Sequence, residues 1–398
     1  MSLVSYDFRY HNPIGKYLFS FDSYYGANYW VSERQVSSFT IDIPHTIGRK
    51  ILPYLELDGI AEIYRTVGNK KTLMFNKRWL LGLWRDKVDD RGIKYLRLRF
   101  IDCNNLVDRR IVFYPRETKY TTINGLPADN AIKKLARENF GSLSTDKSRD
   151  WSHSIDIESN RSLCAPIDMT GFSYLKLMTV MNNICDVSYK KNGEYLTYDM
   201  SWQPEANKYV FKTYKNQLGS DRGARSEKPL YFTVSAKEET TDFGGLSYAS
   251  VEVNGIDRRT VVYCGGGLEE LTEEEKEEEV EAERVIVEVK DEDTIGKSPF
   301  GRWEDWEDAR NSGNDLDGIT AVAYERLEKW KPVVAVNGHM SDVFTRLIGK
   351  EFNWGDIIAF KFKNYIYDVH IDKVNFDLDE NGDEDIQIFT RNMAETYY

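Results

Sequence analysis

Short segments in which apolar and polar residues alternate constrain this chain most, because a period of two is typical of half-buried β-strands. Residues 39–43 show the pattern, with Phe39, Ile41 and Ile43 on one face before Pro44 ends the strand. Residues 95–101 repeat it after a turn at 89–92. Strand patterns at this close spacing fill residues 1–115 without a long helix between them, and they predict an antiparallel barrel or sandwich.

Two helical patterns interrupt the strands in the middle of the chain. In residues 126–140 the apolar side chains fall on one stripe, Pro127 lies near the start and Gly141 lies just past the end. A second helix is expected at about 173–185, and strands are expected near 194–201 and 208–214. Together these elements predict a small α+β domain at residues 116–227.

Strand patterns resume near 231–236, 249–253 and 258–264 and again from 356 to the end of the printed sequence. Between them lies an acidic run, residues 269–283, with ten glutamates in fifteen positions. Like charges at i,i+4 weaken a helix by ~0.2–0.5 kcal/mol per pair, so we expect this run to be a mobile excursion. Helices are expected near 303–311 and 318–329.

The chain is therefore expected to be mainly β with α+β parts, in four domains. They are a first β-barrel at 1–115, the α+β domain at 116–227, a second β-barrel made of 228–265 with 345–398, and an acidic and helical insert at 266–344.

Charge and cysteine spacing restrict the partners and the compartment. The chain has 53 Lys and Arg against 65 Asp and Glu, a net charge of -12, which argues against holding nucleic acid or an anionic membrane. Four cysteines are present and lie far apart in the sequence: Cys103, Cys164, Cys185 and Cys264. This spacing favours neither disulfides nor a zinc site and suits a reducing compartment. We find no secretory signal and no run of ~18 apolar residues, so we expect cytoplasmic folding and no membrane span.

Motif searches predict no catalytic, cofactor-binding or metal-binding residue. No pair of the five histidines has the zincin spacing, and no G-x-S-x-G elbow is present. Cys185 lies late in a predicted helix, which favours a buried structural role over a nucleophile. The glycines at 265–267 follow a strand, but without the P-loop pattern and beside so many glutamates we interpret them as a hinge leading to the insert.

Two acidic motifs leave alternatives open. Residues 377–385 match part of a calcium loop, but position 12 is Ile388, and Asn381-Gly382 between strands favours an acidic hairpin tip. Residues 303–308 hold paired carboxylates that could serve glycoside cleavage. Trp303 and Trp306 at i,i+3 on a short helix more simply predict a docking face.

The order of several landmarks over nearly the whole chain resembles the tail hub (distal tail or tail-associated) proteins of long-tailed bacteriophages, relatives of the baseplate hub of contractile tails. The landmarks are WVSER at 30–34, FTIDIP at 39–44, LDGIAEI at 57–63, LVDRRI at 106–111, GLPADNA at 125–131, VVYCGGG at 261–267, WEDWEDAR at 303–310 and FNWGDII at 352–358. The glutamate-rich sequence after Gly267 departs from the more mixed loop of the family.

This resemblance implies two tail-tube-like antiparallel β-barrels per chain, two smaller mixed domains, and a homotrimer in which six barrels form a ring. It implies a structural, non-enzymatic virion protein at the tail tip or baseplate, assembled in the host cytoplasm. A distal tail or tail tube ring would lie above it and a tip, spike or fibre protein below. DNA would pass through its channel without specific binding, along an acidic wall. With nothing after Tyr398 to hold a lysin or fibre module, the chain resembles a minimal hub.

Two other classes of protein remain open at this point. One is a receptor-binding or polysaccharide-cleaving tail-tip protein, which would need an open aromatic cleft with two convergent carboxylates. The other is the hub of a phage-like injection device, which would share the fold.

Overall fold

The computed structural model describes residues 4–21, 23–113, 122–170, 173–234, 244–254, 258–268, 284–310, 316–329, 333–340, 348–349, 352–362 and 365–397. The acidic run at 269–283, with the mobility expected of it, lies outside them. The chain forms two compact units. The larger comprises Met1–Tyr189, Glu194–Val251 and Ala335–Tyr398, and the smaller comprises Lys190–Gly193 and Glu252–Val334.

The larger unit begins with a sheet that curls around an aromatic core. Its strands are β1 (Val4–His11), β2 (Tyr17–Ser20), β3 (Gly26–Ser32), β4 (Ser38–Pro44), β5 (Ile60–Val67), β6 (Lys70–Leu73), β7 (Trp79–Val88) and β8 (Lys94–Asp102). Helix α1 (His45–Ile51) and 3-10 turns at Leu52–Tyr54 and Met74–Asn76 lie between them. The strands run in the order β3-β4-β8-β7-β5-β1-β2, with β6 beside β5. The strands predicted at 39–43 and 95–101 are confirmed.

The α+β part follows. Its elements are α2 (Asn105–Asp108), β9 (Thr122–Pro127), α3 (Ala128–Phe140), a 3-10 turn (Lys147–Arg149), β10 (Ile155–Ile157), β11 (Pro166–Thr170), α4 (Leu177–Asn192), β12 (Leu196–Gln203) and β13 (Lys208–Lys215). Strands β10, β13 and β12 form one sheet, and β9 pairs with β11. The helix predicted at 126–140 is confirmed as α3, whose apolar stripe is buried.

A closed six-stranded barrel completes the larger unit. After the short β14 (Asp221–Arg222), its strands are β15 (Tyr231–Val234), β16 (Gly244–Asn254), β20 (Val333–Met340), β21 (Ile357–Phe362), β22 (Tyr365–Asp379) and β23 (Glu384–Tyr397). The ring runs β21-β15-β16-β20-β23-β22, and β22 pairs with β21 to close it. Strand β15 is parallel to both neighbours, so this barrel is mixed and not wholly antiparallel as predicted. Among the described residues, strand pairing closes this barrel but not the curled sheet.

Strand β22 joins the barrel to the curled sheet. Its first half pairs with β21, its second half pairs with β3, and β23 lies along its other edge. Side chains from both sheets share one core: Phe8 stacks on Phe39 with ring centres 5.5 Å apart, and Tyr29 stacks on Phe376 at 4.6 Å. Aromatic side chains therefore make up a large part of this shared interior.

The smaller unit is a three-stranded sheet with a helix packed on one face. Its elements are β17 (Val261–Leu268), β18 (Arg284–Lys290), the short helix α5 (Glu292–Ile295), β19 (Glu304–Asp308) and α6 (Leu316–Lys329). The sheet order is β18-β17-β19, with β17 antiparallel to β18 and parallel to β19. Val262 and Cys264 face Ile319 and Ala323 of α6 in its core.

Two predictions for this unit are wrong. Where a helix is predicted at 303–311, Glu304–Asp308 form strand β19, because a strand lets Asp305 and Asp308 reach arginines on other elements, Arg326 at 2.6 Å and Arg284 at 2.7 Å. The glycines at 265–267 are no hinge but lie within β17. A Cβ on Gly265 would come within 2.5 Å of the Trp306 ring, so only glycine allows the two strands to pack there.

Candidate assembly site

No catalytic centre comes together in the described parts of the chain, and charged side chains concentrate in two other places. One is a set of buried ion pairs, here called the joint, that ties the curled sheet, the α+β part and the closed barrel together. The other is the outer face of the sheet that runs from β7 to β23. Of these features, sequence reasoning identified only the acidic hairpin at 377–385, which lies on that face.

Lys77 is the centre of the joint. Its side chain is fully buried, and its ammonium donates to Asp199 of β12 and to the carbonyl of Met200 at 2.7 Å. Asp102 of β8 lies 3.7 Å away. Asn104 donates to Asp199 at 3.1 Å and accepts from the Met200 amide at 2.9 Å. These bonds fasten the curled sheet to the α+β part.

Burial sets the ionisation of these groups. Removal from water raises the pKa of Asp102 to about 6, although the Lys77 charge acts in the opposite direction. Burial also raises the pKa of Asp199. For Lys77 burial disfavours the charge, but Asp199 and the other acidic neighbours outweigh it and raise the pKa. Lys77 therefore stays charged and holds two carboxylates that would otherwise be poorly compensated.

A second cluster connects all three parts. Glu33, in the turn between β3 and β4, lies 2.9 Å from His370 of β22 in the barrel. Its other carboxylate oxygen accepts from the hydroxyl of Tyr195, next to β12, at 2.6 Å. Glu33 and His370 are both buried. One carboxylate thus contacts the barrel and the α+β part together.

A third contact is a two-point ion pair between the curled sheet and the barrel. Arg65 of β5 donates to both carboxylate oxygens of Glu384 at 2.6 and 2.7 Å, and both side chains are buried. Tyr6 also donates to Glu384. Two parallel bonds fix direction as well as distance, so this pair orients the start of β23 against β5.

A fourth contact involves Glu62, Arg78 and Trp202. Arg78 donates to Glu62 at 2.7 Å, and its guanidinium lies 3.4 Å from the ring centre of Trp202 in β12. Burial alone would raise the pKa of Glu62. The His11 ring at 3.4 Å and the Arg78 charge outweigh it and lower the pKa to about 2.

We expect this lowered pKa to make the joint sensitive to acid. The folded pKa lies below the ordinary 4.5, so the stabilisation is complete above pH 4.5 and is lost as the pH falls towards 2. Glu62→Gln should remove at most about 3 kcal/mol of this dependence from the free energy of unfolding. Urea unfolding between pH 2.5 and 7 measures it, with the exposed Glu56→Gln as control. Equal pH slopes in Glu62→Gln and the unaltered protein would contradict the assignment.

A weak signal for the joint exists in the sequence. Arg65 occupies a position where alternation along β5 predicts a core residue, and it is buried there. A charge at such a position needs a buried partner of opposite sign. The sequence could flag Arg65 but could not pair it, since Glu384 is 319 positions away. Asp199 alternates with the apolar core residues of β12, so the strand pattern gives no signal for it.

An open cleft of about 640 Å³ lies beside the joint. Its two tryptophans are not free platforms for a sugar: Arg78 covers Trp202, and Trp354 is almost fully buried and donates to the Asp372 carbonyl at 3.2 Å. Of its carboxylates, Asp199 is bound by Lys77. Residues lining the cleft include Phe75, Trp202, Gln203, Glu205, Lys212 and Trp354.

The outer face of the curled sheet carries a basic patch, defined here as Arg85 and Lys87 of β7 with Arg97 and Arg99 of β8. These side chains surround a depression of about 350 Å³ together with Ser38 and Thr40 of β4. Arg97 forms a two-point ion pair with Asp42 at 2.7 and 2.6 Å. Arg85 and Arg99 are exposed, and the described residues give neither of them an acidic partner.

Residues 377–385 form the acidic hairpin, the turn between β22 and β23. Asp379 accepts from the amides of Asn381 at 2.8 Å and Asp383 at 2.9 Å, and Gly382 takes a φ of 80°. The predicted hairpin is therefore confirmed, and the Asp379 carboxylate serves the turn itself. No three metal-ligating side chains converge within the described ranges.

The other side chains that could take part in catalysis lie apart from one another. All four cysteines are free and buried, and burial raises the pKa of the Cys185 thiol to about 12. His339 contacts Asp385 at 2.9 Å on the surface. Glu304 is exposed, and Glu307 lies 3.2 Å from Arg326. No helix in the described part of the chain has the length and apolarity to cross a membrane.

Two solved structures share this fold over nearly their whole length. A tail protein from Neisseria meningitidis MC58 has a TM-score of 0.57 and 11% identity, covering 98% of this chain and 96% of that one. The 43 kDa tail protein of prophage MuSo2 from Shewanella oneidensis has a TM-score of 0.56 and 9% identity, covering 97% of each chain. At such low identity they show the fold alone, and that fold is the one found in phage tail proteins.

The family model described as Siphovirus ReqiPepy6 Gp37-like protein matches residues 12–389. The chain belongs to this family. It is a structural phage tail protein of the siphovirus type, and the predicted resemblance to phage tail proteins is confirmed. No curated protein matches the chain.

Proposed function

We propose that this chain is the hub at the tip of the tail, a homotrimer that joins a six-fold tube to a three-fold tip. One observation carries the proposal: a single chain holds two β structures, the curled sheet and the closed barrel, joined edge to edge where β22 pairs with β3. Three copies would offer six such structures around one axis, which is what a change from six-fold to three-fold symmetry requires.

The domain division belongs to the same proposal. A first tube-like domain at 1–115 and a second at 228–265 with 345–398 would form the ring. The α+β domain at 116–227 and the insert at 266–344 would be the two smaller domains of each copy. The joint supports this arrangement, because its buried ion pairs hold the two tube-like domains at a fixed angle that a ring needs.

In this proposal DNA passes through the ring without specific binding. The net charge of -12 favours sliding over capture, since a wall that neutralised phosphates would retain the duplex. The ring would contact a distal tail or tail tube protein above and a tip, spike or fibre protein below. The same architecture would suit a phage-like injection device.

Image averaging of assembled tails tests the hub. We expect three copies of this chain around the axis at the tail tip and a channel wide enough for duplex DNA. Six-fold or two-fold copies, or a position along the tube away from the tip, would contradict the proposal.

We also expect no hydrolysis of peptidoglycan, polysaccharide or nucleic acid. The reason is that the cleft beside the joint has occupied tryptophans and a carboxylate bound by Lys77, so it lacks two free carboxylates aimed at one bond. A zymogram with purified protein measures this. A cleared zone in the zymogram that disappears in the Glu304→Gln or Glu307→Gln variant would favour the polysaccharide-cleaving alternative.

A further inference from the structure

We propose that the basic patch of one copy binds the acidic hairpin of a second copy, head to tail. This inference rests on the proposed homotrimer and names the surfaces that would hold it together. It is carried by the position of two opposite charge clusters on one continuous sheet face.

The strand register places the two clusters on the same face. Arg99 pairs with Thr40, Thr40 with Asn28, and Asn28 with Asp377. Side chains at directly paired positions point to the same side of a sheet. Three strand spacings separate Arg99 from Asp377, about 14 Å. Each copy therefore presents a cationic and an anionic surface that do not overlap.

Both clusters have charge left over after their internal contacts. In the basic patch Asp42 neutralises Arg97, while Arg85 and Arg99 have no acidic partner among the described residues. In the acidic hairpin Glu384 binds Arg65, but Asp377, Glu380 and Asp383 are exposed, without a cation beside them in the described part of the chain. The unpaired charges of the two clusters are opposite in sign and similar in number, so the clusters can pair.

The second half of β7 adds a strand edge that another protein chain could contact. Strand β5 pairs with β7 only at Trp79 and Leu80, so from Leu83 onward β7 pairs with β8 alone in the described structure. Leu83, which pairs with Arg99 and lies on the cationic face, is 40% exposed. A free strand edge with an apolar side chain beside the cations favours contact with another protein chain.

The charge pattern favours a second copy in a head-to-tail contact over other anionic partners. A two-fold contact, in which residue i meets residue j and j meets i, closes at two copies, whereas a head-to-tail contact can build the three-copy ring of the proposed hub. DNA needs a track of cations that follows its phosphates. Here the cations occupy two strands and give way to Asp377 three strands further on. A compact acidic turn fits such a small patch better.

Charge reversal tests this contact. Arg85→Glu/Arg99→Glu and, separately, Asp377→Lys/Asp383→Lys should each weaken trimer formation at least about tenfold, because like charges would meet. A chain with all four changes has both signs inverted and should return to within about threefold of the unaltered protein. Native mass and sedimentation at matched concentrations measure this. Lys147→Glu/Lys228→Glu, exposed and outside both clusters, controls for net charge and should have no effect.

A cysteine pair gives an independent readout that also detects weak association. In Arg99→Cys/Asp377→Cys the two new thiols are too far apart within one chain to bond, since a disulfide needs Cα atoms within about 7 Å. The four natural cysteines are buried. Oxidation at high concentration should give covalent dimers and trimers, and neither single variant should.

The outcomes separate the two proposals. A trimer that forms unchanged in both charge-reversal variants and gives no covalent oligomers overturns this contact and leaves the hub standing. Absence of covalent oligomers at every concentration overturns it as well. Failure to find three copies at the tail tip refutes the hub, and the contact falls with it.

Discussion

Lys77→Met should lower the free energy of unfolding by about 3–5 kcal/mol at pH 7, because it removes the only cation that the described part of the chain places beside two buried carboxylates. Methionine keeps most of the side-chain volume, so the loss would come from charge and not from a cavity. The destabilisation should shrink as the pH falls from 7 to 5. Burial raises the pKa of Asp102 and of Asp199, and protonation would remove the uncompensated charge. Urea unfolding followed by circular dichroism measures both effects.

Two further variants make this test specific. Lys228→Met removes an exposed cation and should change stability by less than about 0.5 kcal/mol. Adding Asp102→Asn and Asp199→Asn to Lys77→Met should recover part of the loss, since no unpaired charge would remain. A loss below about 1 kcal/mol in Lys77→Met, or one that does not vary with pH, would contradict the role given to the joint.

Phe376→Ala should cost about 3–5 kcal/mol, the range for a large aromatic side chain removed from a core. The Phe376 ring is fully buried, stacks on Tyr29 at 4.6 Å and meets Phe75 edge to face at 5.7 Å. It lies where β22 pairs with β3, so its removal leaves a cavity in the core shared by the curled sheet and the closed barrel. Thermal and urea unfolding measure the loss.

The matched control is Phe389→Ala. Phe389 lies on the neighbouring strand β23, but it is only half-buried and contacts Lys373 on the outer face. We expect less than half the loss seen for Phe376→Ala, because less apolar surface leaves water at this position on folding. Equal losses would mean that the core does not run continuously through β22 and β3.

Phe376 and its stacking partner Tyr29 show how much of the fold the sequence predicts. Alternation identifies Phe376 as an inward side chain of a strand, as it does for Phe39 and Ile41. It does not reveal that Tyr29, 347 positions away, is its stacking partner. Strand pairing between distant segments depends on which of many compatible edges meet, and a local period carries no information about that choice.

The errors arose where distant contacts overrode local pattern. Residues 303–311 carry two tryptophans at helical spacing, which predicts a helix. The arginines that stabilise them as a strand, Arg284 and Arg326, come from β18 and α6. At Gly265 the flexible local sequence predicts a hinge, whereas the Trp306 ring beside it is the actual reason for glycine.

By itself the sequence determined the β-rich class, helix α3 and the hairpin at 377–385, because each depends on periodicity or turn residues within a few positions. The tertiary structure alone decided the closure of the barrel, its edge-to-edge contact with the curled sheet and the partners within the joint. Arg65 and Glu384 are 319 positions apart, yet they form a two-point ion pair. Such a pair exists only after both strands are placed, since its energy depends on burial and exact geometry that no local segment encodes.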